Sequence, residues 1–185
     1  MKRLDRILQQ WRIAKARRFI PPGANVLDIG STDGTLFQRL GERISGGLGI
    51  DPTLPEARSI GAIRLIGGFF PKDMPAVGPF DVITMLAVLE HFPEGEYAAL
   101  RAGCCRFLKP EGRLIITVPS PRVDTILQWL KALRLVDGMS LEEHHGYRVD
   151  QTAGIFCAPE FRLVRQEKFQ FGLNHLFVFE RTREL

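Results

Sequence analysis

Cysteine is scarce in this chain and poorly placed for bonding. Cys104 and Cys105 are neighbours and Cys157 stands alone, so there is no CxxC pair, no finger-type metal spacing and no disulfide framework; reduced, mostly buried thiols are expected. Long apolar runs are lacking too. VITMLAVL, from Val82 to Leu89, falls far short of the ~20 residues that cross a bilayer, and no transmembrane helix is predicted. Lys2, Arg3, Arg6, Arg12, Lys15, Arg17 and Arg18 interrupt the first twenty residues, which excludes the apolar core of a secretory signal and leads us to expect a cytoplasmic protein. The sequence has no internal repeat and no low-complexity segment.

Positive charge is missing where a nucleic acid would need it. The formal net charge is +4, yet residues 1 to 20 carry seven basic side chains against Asp5, a balance of +6, so the rest of the chain sums to −2. A nucleic-acid partner needs basic groups spread over a binding face, and none is expected. With 185 residues, 45% hydrophobic and 25% charged, the composition is that of one soluble globular domain. Leu4, Ile7, Leu8, Trp11 and Ala14 recur at helical spacing among the basic residues. They predict an amphipathic helix over residues 3–19, ended by Pro21, Pro22 and Gly23. We therefore read residues 1–22 as an N-terminal amphipathic helix and residues 23–185 as a single domain. Such a helix caps a domain edge, or contacts an anionic membrane surface or an acidic partner.

From Asn25 onward, short apolar runs alternate with helical segments. VLDIG is followed by a helix from Thr35 to Arg43, GLGID by one from Leu54 to Ile60, and AIRLIG by a turn rich in Pro and Gly. FDVITML is followed by a helix from Glu94 to Leu108, and RLIITVP by an amphipathic helix from Arg122 to Leu135. This alternation implies crossover connections and a parallel sheet covered on both faces, an α/β sandwich. FRLVRQEKFQF and NHLFVFERT, separated by Gly172 and Leu173, predict a closing antiparallel pair joined by a tight turn.

Three features fall at consecutive strand ends: Asp28 with Gly30 and Gly34, then Asp51, then Gly67 and Gly68. Glycine lets a backbone bend and approach a ligand, and a helix starting near Gly34 aims unpaired amides at the same crevice. An acidic residue closing a second strand can accept from both hydroxyls of a ribose. Together they predict a nucleoside pocket. The segment VDGMSLEEHHGYRV, Val136 to Val149, lies beyond the carboxyl ends of the strands and is the expected place for substrate contacts.

Taken in order and spacing, VLDIGSTDG, GLGIDP, FDVITMLAVLEHF and LKPEGRLIITVPSP resemble the class I S-adenosylmethionine-dependent methyltransferases, most strongly from Asn25 to Pro121. The resemblance implies a Rossmann-like three-layer sandwich with a seven-stranded, mostly parallel sheet and a C-terminal antiparallel hairpin. The turn Gly30-Ser31-Thr32-Asp33-Gly34 lacks the second glycine that a dinucleotide pyrophosphate requires. The implied cofactor is S-adenosyl-L-methionine. Asp28 would orient its methionine end, and Gly30, Ser31 and Gly34 would give it backbone room. Asp51, in the motif closed by Pro52, would hold the ribose, with Gly68 and Phe69 near the adenine and Leu86 lining the path to the sulfonium. Two departures stand out. Many relatives have glycine or asparagine where this chain has Thr32, a β-branched residue that resists positive φ. They also place an acidic side chain against the adenine amino group where this chain has Gly68, leaving Asp73 or the Phe69 amide as substitutes.

Methyl transfer is an in-line displacement, so positioning alone can supply ~7 to 11 kcal/mol of the barrier. An alcohol acceptor gains from a general base, and histidine suits that task at neutral pH. Among the four histidines, His145 is the expected base. His91, beside Glu90, is read chiefly as a structural residue and secondly as a catalytic one, and His175 as a sheet-edge residue. Glu90, His91 and His145 could together hold a divalent ion, but no metal is expected. Glu142 and Glu143 read as a solvated turn. The expected function is methyl transfer to a small-molecule acceptor, most simply at oxygen. The alternatives are a cofactor-binding module without catalysis, or a membrane-surface enzyme for a lipid or quinone that uses residues 1–20 for contact.

Overall fold

The computed structural model describes residues 3–120, 148–157 and 159–183. The expected helix from Arg122 to Leu135, the pairs Glu142–Glu143 and His144–His145, and all but the end of the Val136–Val149 loop lie outside the described residues. Helix α1 (Arg3–Arg17) leads into β1 (Ala24–Ile29), α2 (Thr35–Leu40), β2 (Ile44–Asp51), β3 (Arg58–Ile60), β4 (Ile63–Gly67) and β5 (Phe80–Leu86). Then follow α3 (Tyr97–Phe107), β6 (Leu108–Pro119), α4 (Gln151–Phe156), β7 (Phe161–Phe169) and β8 (Asn174–Arg181). The strands form one sheet in the order β3-β4-β2-β1-β5-β6-β8-β7. β4, β2, β1, β5 and β6 run parallel, while β8 is antiparallel to both β6 and β7.

The apolar runs read as strands because both faces of the sheet are covered. Adjacent residues of one strand enter opposite cores: Val26 packs under α1 and α2 with Ile13, Ala16, Leu36 and Phe37. Leu27 packs on the other face, with Leu100, Cys104 and Phe107 of α3 and Phe156 of α4. Each fully buried Leu, Ile or Phe contributes about 1.5–3 kcal/mol relative to exposure. β1 and β5 therefore hold the centre of the molecule, and their carboxyl ends bring Asp28, Gly30 and Leu86 to one edge.

Three local features differ from the sequence reading. The helix expected from Leu54 to Ile60 does not form; Pro55 and Gly61 leave too few residues between them to nucleate one. Arg58–Ile60 instead folds back through Gly61 (φ 59°) to pair antiparallel with β4, adding an eighth strand. With no helix there, an open apolar cleft of about 290 Å³ remains beside α2, lined by residues that include Phe37, Ile44, Ile60 and Ile63. At the C-terminal hairpin, Phe169 pairs with Asn174, so the turn spans residues 170–173 rather than two residues. Finally, His175 is not at a sheet edge: β8 lies between β6 and β7, and His175 pairs with Val118 and Lys168.

Candidate functional site

The site lies at the carboxyl ends of β1, β2 and β5. Asp28 is 4% exposed, and a carboxyl in such surroundings needs a donor. Thr84 on β5 supplies it, its hydroxyl donating to Asp28 Oδ1 at 2.6 Å. Burial pushes the Asp28 carboxyl up to about 7 against the lowering effect of the Thr84 bond, and the neighbouring Asp51 charge raises it further. The two carboxylates are thus brought within electrostatic reach, as adjacent parallel strands require when Asp28 pairs with Gly49, two residues before Asp51.

Asp51, also buried, ties two turns together. Its Oδ2 accepts the Thr32 N–H at 2.9 Å, and its Oδ1 accepts the Thr53 N–H at 2.8 Å and the Thr53 hydroxyl at 2.5 Å. The Thr53 pair is an Asx turn set by the sequence Asp-Pro-Thr. Exposed Pro52 lies between them. Thr32 takes φ 42°, so the departure noted in the sequence appears as a β-branched residue in the left-handed region, at a cost of about 1–3 kcal/mol. Its bond to Asp51 holds it there.

The amides of the first turn are spent within the protein. Gly30 and Ser31 N–H donate to Ile50 O at 2.9 and 3.4 Å, and Gly34 N–H to Ser31 O at 2.8 Å. Thr35 N–H donates to Asp33 Oδ1 at 3.0 Å. The turn therefore offers no row of donors to a phosphate. It holds one buried hydroxyl, Ser31 Oγ, that has no hydrogen-bond partner. Gly30 (φ 77°) and Gly34 (φ 80°) shape the turn. A Cβ on Gly30 would lie 2.3 Å from Val88 Cγ2, so backbone and side chain approach there as only glycine allows.

Beyond β4, Gly68 (φ 144°) leaves room for Asp73, whose Cβ lies 2.7 Å from the place a Gly68 Cβ would take. The two expected substitutes at this position are used on each other: the Phe69 N–H donates to Asp73 Oδ2 at 2.8 Å. What Phe69 presents is its ring, in a residue 64% exposed. After β5, His91 ends a short 3-10 turn, Leu89–His91, and its N–H donates to Val88 O at 3.0 Å. Among the described residues no group of three or more His, Cys, Asp or Glu side chains could hold a metal, and His145 lies outside them.

The space between these groups is narrow. Asp28, Gly30, Ser31, Thr32 and Leu86 share a cavity of about 40 Å³ with Leu36 and with Gln9, Ile13 and Arg12 of α1. Sequence reasoning missed this wall. It also missed Thr84, although one hydroxyl in the buried apolar run FDVITML is a signal that some polar group faces it. No described helix is long and apolar enough to cross a membrane.

Comparison with known proteins agrees with this architecture. Residues 2–155 match the model of a methyltransferase domain. Nocamycin O-methyltransferase of Saccharothrix syringae is 33% identical over 114 residues, 54% of this chain and 39% of that protein. Ubiquinone biosynthesis O-methyltransferase of Pseudomonas aeruginosa is 31% identical over 106 residues, 51% of this chain and 44% of that protein. The matches thus span less than half the length of these curated relatives. The solved magnesium protoporphyrin IX methyltransferase of Synechocystis, with bound SAH, superposes with a TM-score of 0.68 at 17% identity, over 96% of this chain and 85% of that one. With its strand order, its reversed β8 and its match over residues 2–155, this chain belongs to the class I S-adenosylmethionine-dependent methyltransferases.

Proposed function

We propose that the protein transfers a methyl group from S-adenosyl-L-methionine to an oxygen of a small-molecule acceptor. The observation that carries this reading is the donor set at the strand ends: two buried carboxylates, Asp28 and Asp51, with an unpartnered Ser31 hydroxyl between turns whose amides are already bonded. Such a set suits a cationic, hydroxyl-bearing ligand and not a pyrophosphate. When bound, the cofactor would supply an electrophilic methyl on sulfur. Asp28 would hold the ammonium of its methionine end, and Gly30, Ser31 and Gly34 would form the adjoining wall. Asp51 Oδ2, with one donor from Thr32, has a remaining lone pair for a ribose hydroxyl. Gly68 and Phe69 would border the adenine, with the Phe69 ring stacked on it, Pro52 would border the ribose, and Leu86 would line the approach to the methyl group. His145 is the proposed base for the acceptor hydroxyl, with His91 second.

A cavity of about 40 Å³ is far below the ~300 Å³ at which small-ligand pockets begin. That cavity reaches neither Asp51 nor Gly68 and would take only the methionine end of the cofactor, with Gln9, Arg12 and Ile13 of α1 as its wall. The reading at oxygen is supported by the names of the two curated relatives, both O-methyltransferases. Calorimetry with S-adenosylmethionine tests the binding step: saturable 1:1 heat is expected, and no heat at millimolar ligand ends the proposal. With binding in hand, His145→Ala should slow turnover and spare cofactor affinity; an unaltered rate removes His145 as the base.

A further inference from the structure

Helix α1 has two working faces, and the proposed function uses only one. Ile13, Ala16 and Ile20 are buried against the sheet, and Gln9 and Arg12 border the crevice. The opposite face exposes Ile7 and Trp11, 46% and 47% accessible, in line with exposed Ala14 and Arg18 and flanked by exposed Arg6 and Arg17. An apolar stripe left in water on a helix whose buried face is already occupied is not part of the core.

The hairpin turn between β7 and β8 extends this surface. Phe171 is 96% exposed and sits at φ 57°, between Gln170 at φ 51° and Gly172 at φ 81°. A bulky aromatic residue held in the left-handed region gains nothing here from packing, and such outliers point to function. Behind it the turn is anchored to α1. Buried Gln170 donates through Nε2 to Leu8 O at 3.0 Å and accepts from buried Asn174 Nδ2. Arg12 Nε donates to Asn174 Oδ1 at 3.3 Å, and Lys15 Nζ meets Glu167 Oε2 at 2.5 Å. Helix and turn are therefore tied into one unit, with Ile7, Trp11 and Phe171 exposed and Lys168 exposed on the adjoining strand.

We infer that this unit docks the protein on an anionic bilayer surface. Charge complementarity selects that occupant: Arg6, Arg17 and Arg18 are exposed beside Ile7 and Trp11, Lys168 is exposed on the adjoining strand, and the chain beyond residue 20 is net negative. Aromatic and aliphatic side chains bordered by arginines are what an interfacial helix presents to headgroups and upper acyl chains. The same helix walls the crevice on its other side, so docking would set the site beside the bilayer.

Flotation of the full chain tests this without cofactor or turnover, so its outcome is separable from that of the methyltransferase reading. Vesicles of equal parts phosphatidylcholine and phosphatidylglycerol should carry the protein up the gradient, and pure phosphatidylcholine should not. In a Trp129→Phe chain, Trp11 is the single tryptophan and should be quenched by brominated lipid. Phe171→Ser should lower the partition coefficient about 10-fold with an unchanged thermal melt. Arg17→Gln with Arg18→Gln should lower it about 25-fold, at about fivefold per arginine, and keeps the test open if the Phe171 variant misfolds. No flotation with mixed vesicles, unquenched Trp11, or both variants partitioning like wild type would overturn the inference. So would a concentration-dependent dimer abolished by Phe171→Ser without vesicle binding, which would assign the patch to a second copy of the chain.

Discussion

Asp28 should make the fold less stable as pH rises, the reverse of an ordinary ion-paired carboxylate. Its folded value is about 7 against 3.8 for the free side chain, chiefly because it is buried. Between those values the native state holds a proton that the unfolded chain has released, so the slope of unfolding free energy with pH is negative. The full effect is about 4 kcal/mol, from a shift of about three units at ~1.4 kcal/mol each, and about 3 kcal/mol of it is lost between pH 5 and pH 8. Asp28→Asn keeps an oxygen to accept the Thr84 hydroxyl but cannot ionise. Urea titrations of both proteins at pH 5, 6, 7 and 8 should therefore show wild type falling behind the variant by that amount. The same substitution should weaken a cationic cofactor most at pH 8, where only the wild type carries the charge. Parallel stability curves for the two proteins from pH 5 to pH 8 would refute the assignment of Asp28 as a buried, conditionally neutral carboxyl.

Other outcomes follow from neighbouring contacts. Thr84→Val removes the donor that lowers Asp28 and should move the pH-dependent loss of stability to higher pH; an unmoved midpoint in the same urea series would count against the bond. Asp51→Ala should weaken S-adenosylmethionine by the ~1.5 to 3 kcal/mol of hydrogen bonds to a charged group, seen in calorimetry as at least a tenfold loss, and undiminished affinity would remove Asp51 from the site. Gly30→Ala, whose Cβ would press on Val88, should cost about 1–3 kcal/mol by overpacking, and Val88→Ala in the same chain should recover part of it in thermal melts. Burial pushes the Cys104 thiol up while Cys157 is exposed, so a thiol reagent should label Cys157 in the native protein and Cys104 only on unfolding.

Much of this architecture was legible in local pattern. The run NHLFVFE is nearly continuous in apolar residues and becomes β8, covered on both faces, whereas FRLVRQEK alternates with charge and becomes the outer strand β7. The helix expected at Leu54–Ile60 was lost for a reason also present in the sequence, Pro55 and Gly61, but the pairing that replaced it depended on the free edge of β4. His175 was misplaced because a strand's neighbours are chosen by the whole sheet.

The sequence by itself determined the layered α/β scaffold, the placement of carboxylates at the ends of β1 and β2, and the concentration of positive charge on the first helix. Each is a matter of periodicity or composition, which act over a few residues. Only the tertiary structure decided how those groups are used. Thr84 reaches Asp28 across 56 positions and Gln170 reaches Leu8 across 162, the first turn's amides are already bonded, and α1 walls one side of the crevice. Hydrogen-bond partners and protonation depend on which distant groups are buried together, and burial is settled by packing of the whole chain.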